Sequence, residues 1–279
     1  MANPSASLSI ASADENQSLT LTDLETLLKQ HAKYKERSYQ TSKEEHVSFL
    51  EGHPTRPNAV LFGDSMLERM KTTGDSENFQ PWPSAAMLSD SALEELAISQ
   101  PASELKRMDG VFNAGVGGDK IENMLYRLLG DPDKGLTGLI PLIKEREMRF
   151  WVVHAGTNNL HPKRGHRDKD SDLLRLLLQT LLKISHPEVR ILLTELFYRK
   201  DIPNDLVDKA NVQYRSIVSL MNTNLGREVI VLLPAPKEVS KDNHLDDHVH
   251  LNLEGYQLWA KVLAPKAMIM YDQLTKAKG

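Results

Sequence analysis

The sequence contains no cysteine among its 279 residues. Disulfide bonds, thiolate nucleophiles and cysteine-based zinc sites are therefore excluded. The chain also has no uncharged apolar stretch near the length of about 20 residues that crosses a bilayer as a helix. Its N-terminal stretch lacks both the basic start and the apolar centre of a signal peptide. These absences predict a cytoplasmic protein without a membrane span.

The chain also lacks a large excess of positive or of negative residues. The chain has 34 lysine and arginine residues against 38 aspartate and glutamate residues, a formal net charge of −4. This balance gives no electrostatic support for binding of nucleic acid or of an anionic membrane surface. The hydrophobic fraction of 40% and the charged fraction of 26% are those of an ordinary globular protein.

The composition changes along the chain and predicts three parts. Residues 1–18 are rich in alanine, serine and asparagine, and we expect this N-terminal segment to be disordered. Residues 19–57 are predicted to form an N-terminal helical extension. Residues 58–279 are predicted to form one α/β domain with a long insertion at about residues 74–110. Loops of this length are usually functional or disordered.

Two capping boxes predict helices in the N-terminal extension. Thr22 precedes Glu25, and Ser42 precedes Glu45, at the spacing that satisfies two free backbone N–H groups at a helix start. The second helix is expected to run to about Leu50. We expect both helices to be additions to the core rather than parts of it.

Short apolar runs alternate with helical patterns through the rest of the chain. The runs are Ala59–Phe62, Val111–Ala114, Phe150–Ala155, Val189–Phe197 and Val229–Leu233. The helical patterns are Ile121–Leu129, Asp172–Ser185, Leu206–Leu225 and a last one that begins near Asn252. Continuous apolar strands between helices are typical of a parallel sheet covered on both faces. The sequence therefore predicts a three-layer α/β/α sandwich with a flavodoxin-like five-stranded parallel sheet of order 2-1-3-4-5.

The first predicted strand ends in Gly63-Asp64-Ser65, and a helical pattern follows. A serine there meets free backbone N–H groups and the positive end of the helix dipole, which favour a developing anion. Ser65 is thus a candidate nucleophile, although a helix N-cap is a common plain role for serine. Asp64 is expected to be a structural hydrogen-bonding group in the turn.

The next two strand ends carry groups that could bind an anion. The second strand leads into Gly115-Val-Gly117-Gly118, which lacks the P-loop and dinucleotide patterns and could be a plain tight turn. The third strand leads into Asn158-Asn159, where a side-chain amide could donate to an oxyanion or merely shape a loop.

A dense group of acids and histidines precedes the last helix. Asp247 and His250 are three residues apart, in a turn that can bring the carboxylate to Nδ1 of the imidazole and leave Nε2 free as a base. The alternative is a metal site, because His244, Asp246 and His248 add further nitrogen and oxygen ligands.

The predicted strand order brings these groups together. With strand 1 between strands 2 and 3, Ser65 has the Gly118 loop on one side and Asn158 on the other. The His250 loop follows strand 5 and must reach across the same edge. One nucleophile, two donors and one base suit acyl transfer.

The blocks GDSM, NAGVGGD, GTNN and D-x-x-H, each after the expected strand, resemble those of the SGNH hydrolase superfamily (GDSL lipases and esterases) over about residues 58–270. The residues within these blocks are most similar to those of the branch of platelet-activating-factor acetylhydrolase IB catalytic subunits. The resemblance implies the SGNH hydrolase fold, with Ser65 as nucleophile, Asp247 as orienting acid and His250 as base. It implies an oxyanion hole formed by the Ser65 and Gly118 backbones and the Asn158 amide, with no cofactor.

The implied function is a serine esterase that hydrolyses short-chain, acetyl-type esters of a lipid, a sugar or a simple alcohol. Weaker candidates for contacts with that substrate are Asp64, Asn159 and Trp82, the last as part of a cap over an acyl pocket with Phe79 and Met87. The branch includes subunits that dimerise, so a homodimer is compatible with the resemblance. A non-catalytic interaction subunit and a metal-dependent hydrolase using residues 244–250 are the two rival functions.

Overall fold

The computed structural model describes residues 19–52, 57, 59–74, 82–84, 94, 107–146 and 148–276. The strands are β1 (Ala59–Gly63), β2 (Val111–Gly115), β3 (Gly130–Asp131), β4 (Leu136–Thr137), β5 (Phe150–His154), β6 (Arg190–Thr194) and β7 (Ile230–Leu233). The α-helices are α1 (Leu21–His31), α2 (Glu36–Thr41), α3 (Ser48–Gly52), α4 (Ser65–Glu68), α5 (Ile121–Leu129), α6 (Leu139–Lys144), α7 (Asp168–Ile184), α8 (Asn204–Leu225) and α9 (Leu253–Lys276). A π-helical turn at Ser42–Val47 joins α2 to α3, and 3-10 turns lie at Arg69–Lys71, Pro132–Lys134 and Thr157–Asn159.

Five strands form one parallel sheet in the order β2-β1-β5-β6-β7. Strands β3 and β4 form a separate short antiparallel pair. Counted within the main sheet alone, the order is 2-1-3-4-5, so the predicted parallel sheet and its topology are confirmed. In register, Gly63 lies opposite Gly115 on one side and His154 on the other. The segments that follow these three strands therefore begin at the same edge of the sheet.

Helices cover both faces of this sheet, as the alternating residues of β1 illustrate. Val60 and Phe62 belong to one apolar cluster, which also contains leucines of α1, α5 and α7. Ala59 and Leu61 belong to a second cluster, which contains Leu67 of α4 and aromatic residues of α9. Because successive strand residues point to opposite faces, the two clusters are the two sides of a three-layer α/β/α sandwich.

The N-terminal helices are part of the larger cluster, which differs from the expectation that they are additions to the core. Leu24, Leu28 and Leu50 are buried in the same cluster as Val60 and Phe62. Helix α1 packs against α5 and α7. The apolar residues of α1 thus cover apolar surface of α5 and α7 on that face of the sheet.

Both predicted capping boxes were placed wrongly. Helix α1 is capped by Thr20, whose side chain accepts from the Asp23 N–H while Asp23 accepts from the Thr20 N–H. The backbone leaves the helical region at Thr20, so this pair and not Thr22 marks the start. Ser42 is buried at the start of the π-helical turn and is the C-cap of α2 rather than the N-cap of a helix.

Helix α7 begins four residues before its predicted start at Asp172. Asp170 accepts hydrogen bonds from the Arg167 backbone and side chain, and these bonds stabilise a first turn that contains too few apolar residues to show a helical pattern. The predicted disordered segment 1–18, and most of the insertion at 74–110 with its expected short helix, lie outside the described residues. Across the described part of the chain, none of the helices has the length and apolarity required to cross a membrane.

Replacement of Leu28 by alanine is expected to lower the free energy of unfolding by about 2–5 kcal/mol, because it leaves a cavity in the main core. The exposed Gln30→Ala in the same helix should change it by no more than about 0.5 kcal/mol. Urea denaturation of both variants measures the difference. Equal stabilities would mean that α1 does not unfold together with the domain.

Candidate active site

Ser65, His250 and Asp247 form one continuous chain of hydrogen bonds. Nε2 of His250 lies 2.8 Å from Oγ of Ser65, and Nδ1 of the same ring lies 2.7 Å from Oδ2 of Asp247. The residues come from opposite ends of the domain, separated by 185 positions between Ser65 and His250. The structure therefore brings together all three side chains that the sequence had selected as nucleophile, base and orienting acid.

Ser65 is the first residue of α4, directly after β1 and Asp64. Close packing under this turn requires a glycine before it, because a Cβ atom on Gly63 would lie 2.3 Å from the His154 carbonyl oxygen. Asp64 is the N-cap, and its carboxylate accepts from the Met66 N–H at 2.9 Å. The turn thus presents the Ser65 hydroxyl at the edge of the sheet with only 5% of the residue exposed.

Asp64 itself is fully buried, so it is not positioned to contact a substrate. Burial raises the pKa of its carboxyl group to about 8, and the hydrogen bond from Met66 opposes this only in part. One of its carboxyl oxygens has no hydrogen-bond partner among the described residues. The prediction of a structural role agrees with this geometry, whereas the weaker suggestion of a substrate contact does not.

Asp247 is held as a carboxylate by several donors. Its Oδ1 accepts from the backbone N–H groups of Val249 and His250, both at 2.8 Å. Arg69 of the first 3-10 turn lies 3.9 Å from its other oxygen. Burial acts to raise the pKa of Asp247, but the hydrogen bonds from His250 and Val249 outweigh it and lower the pKa well below the ordinary value. An ionised Asp247 keeps the Nδ1 proton of the imidazole directed towards itself.

The two predicted oxyanion donors lie on the neighbouring loops. Gly118 adopts a φ of +72°, a conformation that favours glycine, and it lies in the turn after β2. Asn158 lies in the 3-10 turn after β5, and its Nδ2 donates to the Asp119 carbonyl oxygen at 2.9 Å. A side-chain amide has two hydrogens, so one hydrogen of Asn158 remains for another acceptor. Asp119 thereby links the Asn158 turn to the glycine loop.

Asn159 is turned away from the serine, which corrects its suggested contact with the substrate. Its Oδ1 accepts from the Ile121 N–H at 3.0 Å, and its Nδ2 donates to Glu122 and Asp170 at 2.9 and 3.1 Å. The side chain is buried. Asn159 therefore joins the starts of α5 and α7 and has no free group for a ligand.

Trp82 is also buried, in the apolar cluster that contains Met66, Leu67 and Met70. It pairs through its backbone with Met108. It therefore contributes to the apolar packing on the face of the sheet that α4 and α9 cover. Its suggested companions Phe79 and Met87 lie outside the described residues.

Arg127 and Asp119 were missed by the sequence analysis. Both are completely buried and form an ion pair of 2.7 Å. Arg127 also donates to the carbonyl oxygens of Ala114 at 2.8 Å and Gly63 at 3.0 Å. It therefore connects the ends of β1 and β2, from which Ser65 and the glycine loop emerge. The one available signal was an arginine within the otherwise apolar face of Ile121–Leu129.

The histidines and acids of residues 244–250 do not converge on one point. His250 faces Ser65, His248 lies 4.0 Å from Asp201, and His244 lies 3.7 Å from Glu254. Among the described residues, which include this whole segment, no group of three or more such side chains is arranged to hold a metal ion. The arrangement favours the serine-based alternative for this segment.

The model of the GDSL-like lipase/acylhydrolase family matches residues 61–258. No curated protein matches the sequence.

Several solved structures share the fold. A Streptococcus pneumonia protein described as a platelet activating factor is 16% identical, with 88% of this chain and 97% of that chain covered and a TM-score of 0.52. A Bacteroides fragilis protein described as an acylhydrolase is 13% identical, with 87% and 100% covered and a TM-score of 0.51. An acetyl esterase variant is 16% identical, with 78% and 98% covered and a TM-score of 0.50. At these identities the likeness concerns the fold alone.

The raised pKa of Asp64 predicts a measurable pH dependence of stability. The folded protein keeps this proton up to pH of about 8, whereas an unfolded aspartate loses it near pH of about 4. Protonated Asp64 thus stabilises the fold fully below that lower value, and the contribution is lost as pH rises through 8. Asp64→Asn, which keeps an N-cap, should remove this dependence.

The free energy of unfolding of the wild type minus that of Asp64→Asn should therefore fall as pH is raised, by at most about 1.4 kcal/mol per pH unit. Urea denaturation at a series of pH values measures it, with the exposed Asp109→Asn as a control for the loss of a carboxyl group. Parallel curves for wild type and Asp64→Asn would show that Asp64 is ionised in the folded protein.

Proposed function

The chain belongs to the GDSL-like lipase/acylhydrolase family and is a carboxylic ester hydrolase. We propose that it cleaves short-chain acyl esters with Ser65 as nucleophile. The observation that carries the proposal is the hydrogen-bond chain from Asp247 through His250 to Ser65, with distances of 2.7 and 2.8 Å. A nucleophile, its base and the group that orients the base are the parts that serine acyl transfer requires.

In the first step, His250 accepts the Ser65 proton at Nε2 as Oγ bonds to the ester carbonyl carbon. Asp247 stabilises the resulting imidazolium through Nδ1. The carbonyl oxygen becomes an oxyanion while the tetrahedral intermediate exists. When the intermediate collapses, the ester C–O bond breaks, and His250 passes its proton to the departing alcohol. The acyl group is then bonded to Ser65.

The oxyanion is stabilised by donors that follow three neighbouring strands of the main sheet, β1, β2 and β5. These are the N–H of Ser65, the N–H of Gly118 and the second hydrogen of the Asn158 amide. The hydrogen bond from Asn158 to the Asp119 carbonyl supports this role, because it holds the amide against the glycine loop. Donors that are fixed before the reaction need no reorganisation when the charge develops.

In the second step, water hydrolyses the acyl-enzyme, and His250 again acts first as the base and then as the acid. His250 takes a proton from the water as the water oxygen bonds to the acyl carbon. The bond between the acyl carbon and Oγ of Ser65 then breaks, and His250 passes the proton to Oγ. The carboxylic acid leaves, and the enzyme is restored. Each step uses only side chains and backbone groups of this chain, water and the ester.

The narrower part of the proposal is that the acyl group of the ester is short. It follows from the resemblance of the four sequence blocks to the acetylhydrolase branch, and the acetyl esterase among the solved structures has the same fold. Membership of that branch stays a prediction. Esters of a lipid, a sugar or a simple alcohol all fit the proposal, since the proposed groups act on the ester carbonyl and on the proton of the departing alcohol.

Ser65→Ala should abolish turnover of p-nitrophenyl acetate, because no other group supplies the attacking oxygen. The exposed Ser216→Ala in α8 is the matched control and should keep wild-type activity. EDTA should leave the wild-type rate unchanged, and the rate should fall from acetate through butyrate to octanoate. Activity that survives in Ser65→Ala, or that EDTA abolishes, would contradict the serine mechanism. A flat chain-length profile would contradict only the short acyl group.

Asp247→Asn should lower kcat by about four orders of magnitude, the loss expected when the orienting carboxylate can no longer select the imidazole tautomer. The neighbouring Asp246→Asn is the control, since Asp246 is exposed and contacts Arg69 rather than the imidazole. Steady-state kinetics on p-nitrophenyl acetate measures both. Similar losses for the two variants would point to an effect of charge alone and not of orientation.

A further inference from the structure

Lys35 lies beside the glycine loop after β2, although it belongs to the N-terminal segment that precedes the family match at residues 61–258. Its Nζ donates to the Gly117 carbonyl oxygen at 2.9 Å and lies 4.0 Å from Oδ1 of Asp119. A Cβ atom built on Gly118 would meet the same Nζ at 2.7 Å. The ammonium group therefore fills the space that a side chain at position 118 would need.

The position of this contact in the peptide group matters for the oxyanion hole. The Gly117 carbonyl and the Gly118 N–H belong to one trans peptide group, so they point in opposite directions. A donor that holds the carbonyl oxygen consequently fixes the direction of the N–H. It also makes that N–H a better donor, because hydrogen bonds linked through a peptide polarise one another and a charged donor is stronger than a neutral one.

The Gly118 N–H is available to a bound anion. Within the described part of the chain, it has no backbone acceptor, whereas the Asp119 N–H donates to the Val116 carbonyl and closes the turn. An N–H that is oriented but unpaired is the arrangement expected of an oxyanion donor.

We propose that Lys35 is a positioning residue of the oxyanion hole, whose ammonium group orients and polarises the Gly117–Gly118 peptide. The inference rests on the proposed function, in which the Gly118 N–H stabilises the oxyanion. Lys35 does not touch the substrate, and its effect passes through the peptide.

The segment that carries Lys35 is firmly attached to this region. The Lys33 N–H donates to the Glu122 carbonyl at 3.0 Å, and the Asn123 amide donates to the Lys33 carbonyl at 2.9 Å. On the other side, the Ser38 hydroxyl donates to Oδ1 of Asp119 at 2.5 Å. Bonds on both sides fix the segment around Lys35, which keeps its ammonium group within reach of the Gly117 carbonyl.

The absence of cysteine makes a specific chemical test available. Lys35→Cys introduces the sole thiol of the chain. Treatment with 2-bromoethylamine converts it into a side chain that ends in an ammonium group at nearly the reach of lysine. Treatment with iodoacetamide produces a neutral side chain at the same position and serves as the matched control. Lys35→Met supplies a second uncharged variant should the cysteine variant fail to fold.

Lys35→Cys, its iodoacetamide product and Lys35→Met should each lose about tenfold in kcat on p-nitrophenyl acetate with little change in KM. That loss is smaller than the roughly 100-fold or greater loss on removal of a direct oxyanion donor. The aminoethylated protein should recover most of the wild-type kcat. A boronic acid, which forms a tetrahedral adduct with the serine, should show the same order of affinities.

Unchanged kcat in the uncharged forms, or a loss that aminoethylation does not reverse, would overturn the inference. A rise in KM at constant kcat would also overturn it, because it would indicate a contact with the substrate. Ser65→Ala is assayed in parallel. If Ser65→Ala is inactive and the Lys35 forms all match the wild type, only this inference fails. If Ser65→Ala is fully active, the proposed function fails first.

Discussion

The buried ion pair between Arg127 and Asp119 is the interaction on which the geometry of the site depends. Two charges removed completely from water are tolerated only when they are paired and hydrogen-bonded. Each of the three guanidinium nitrogens of Arg127 has an acceptor, namely Asp119 and the carbonyl oxygens of Ala114 and Gly63. These carbonyls lie at the ends of β1 and β2. The ion pair therefore fixes the distance between the serine turn and the glycine loop.

Asp119 extends this arrangement to the other elements around the site. Its backbone carbonyl accepts from Asn158, which brings in the turn after β5, and its side chain accepts from Ser38 in the N-terminal segment. Leu24 and Leu28 of α1 in turn are buried in the main core. The N-terminal segment is thus joined to the site by polar bonds and to the domain by apolar packing. Its removal would expose both a charged group and a core face.

The neighbouring residues Asn158 and Asn159 have different roles, one at the proposed oxyanion hole and one in the packing of helices. Asn158 keeps one amide hydrogen free beside the glycine loop, whereas every group of Asn159 is bonded to the starts of α5 and α7. Asp64 and Asp247 differ in the same manner. Burial without enough donors raises the pKa of Asp64, and several donors lower the pKa of Asp247 although burial opposes them. The chemistry of each group depends on its surroundings more than on its residue type.

The fold class and the strand order could be predicted from the sequence, and so could the pairing of Asp247 with His250, because apolar periodicity and local turns are encoded by neighbouring residues. The buried link at Arg127, the inward position of Asn159 and the reach of Lys35 to the glycine loop became visible only in the folded chain. Such contacts join residues that are far apart in the chain, as the 82 positions between Lys35 and Gly117 illustrate. No local pattern specifies these distances, since they follow from the packing of complete helices against the sheet.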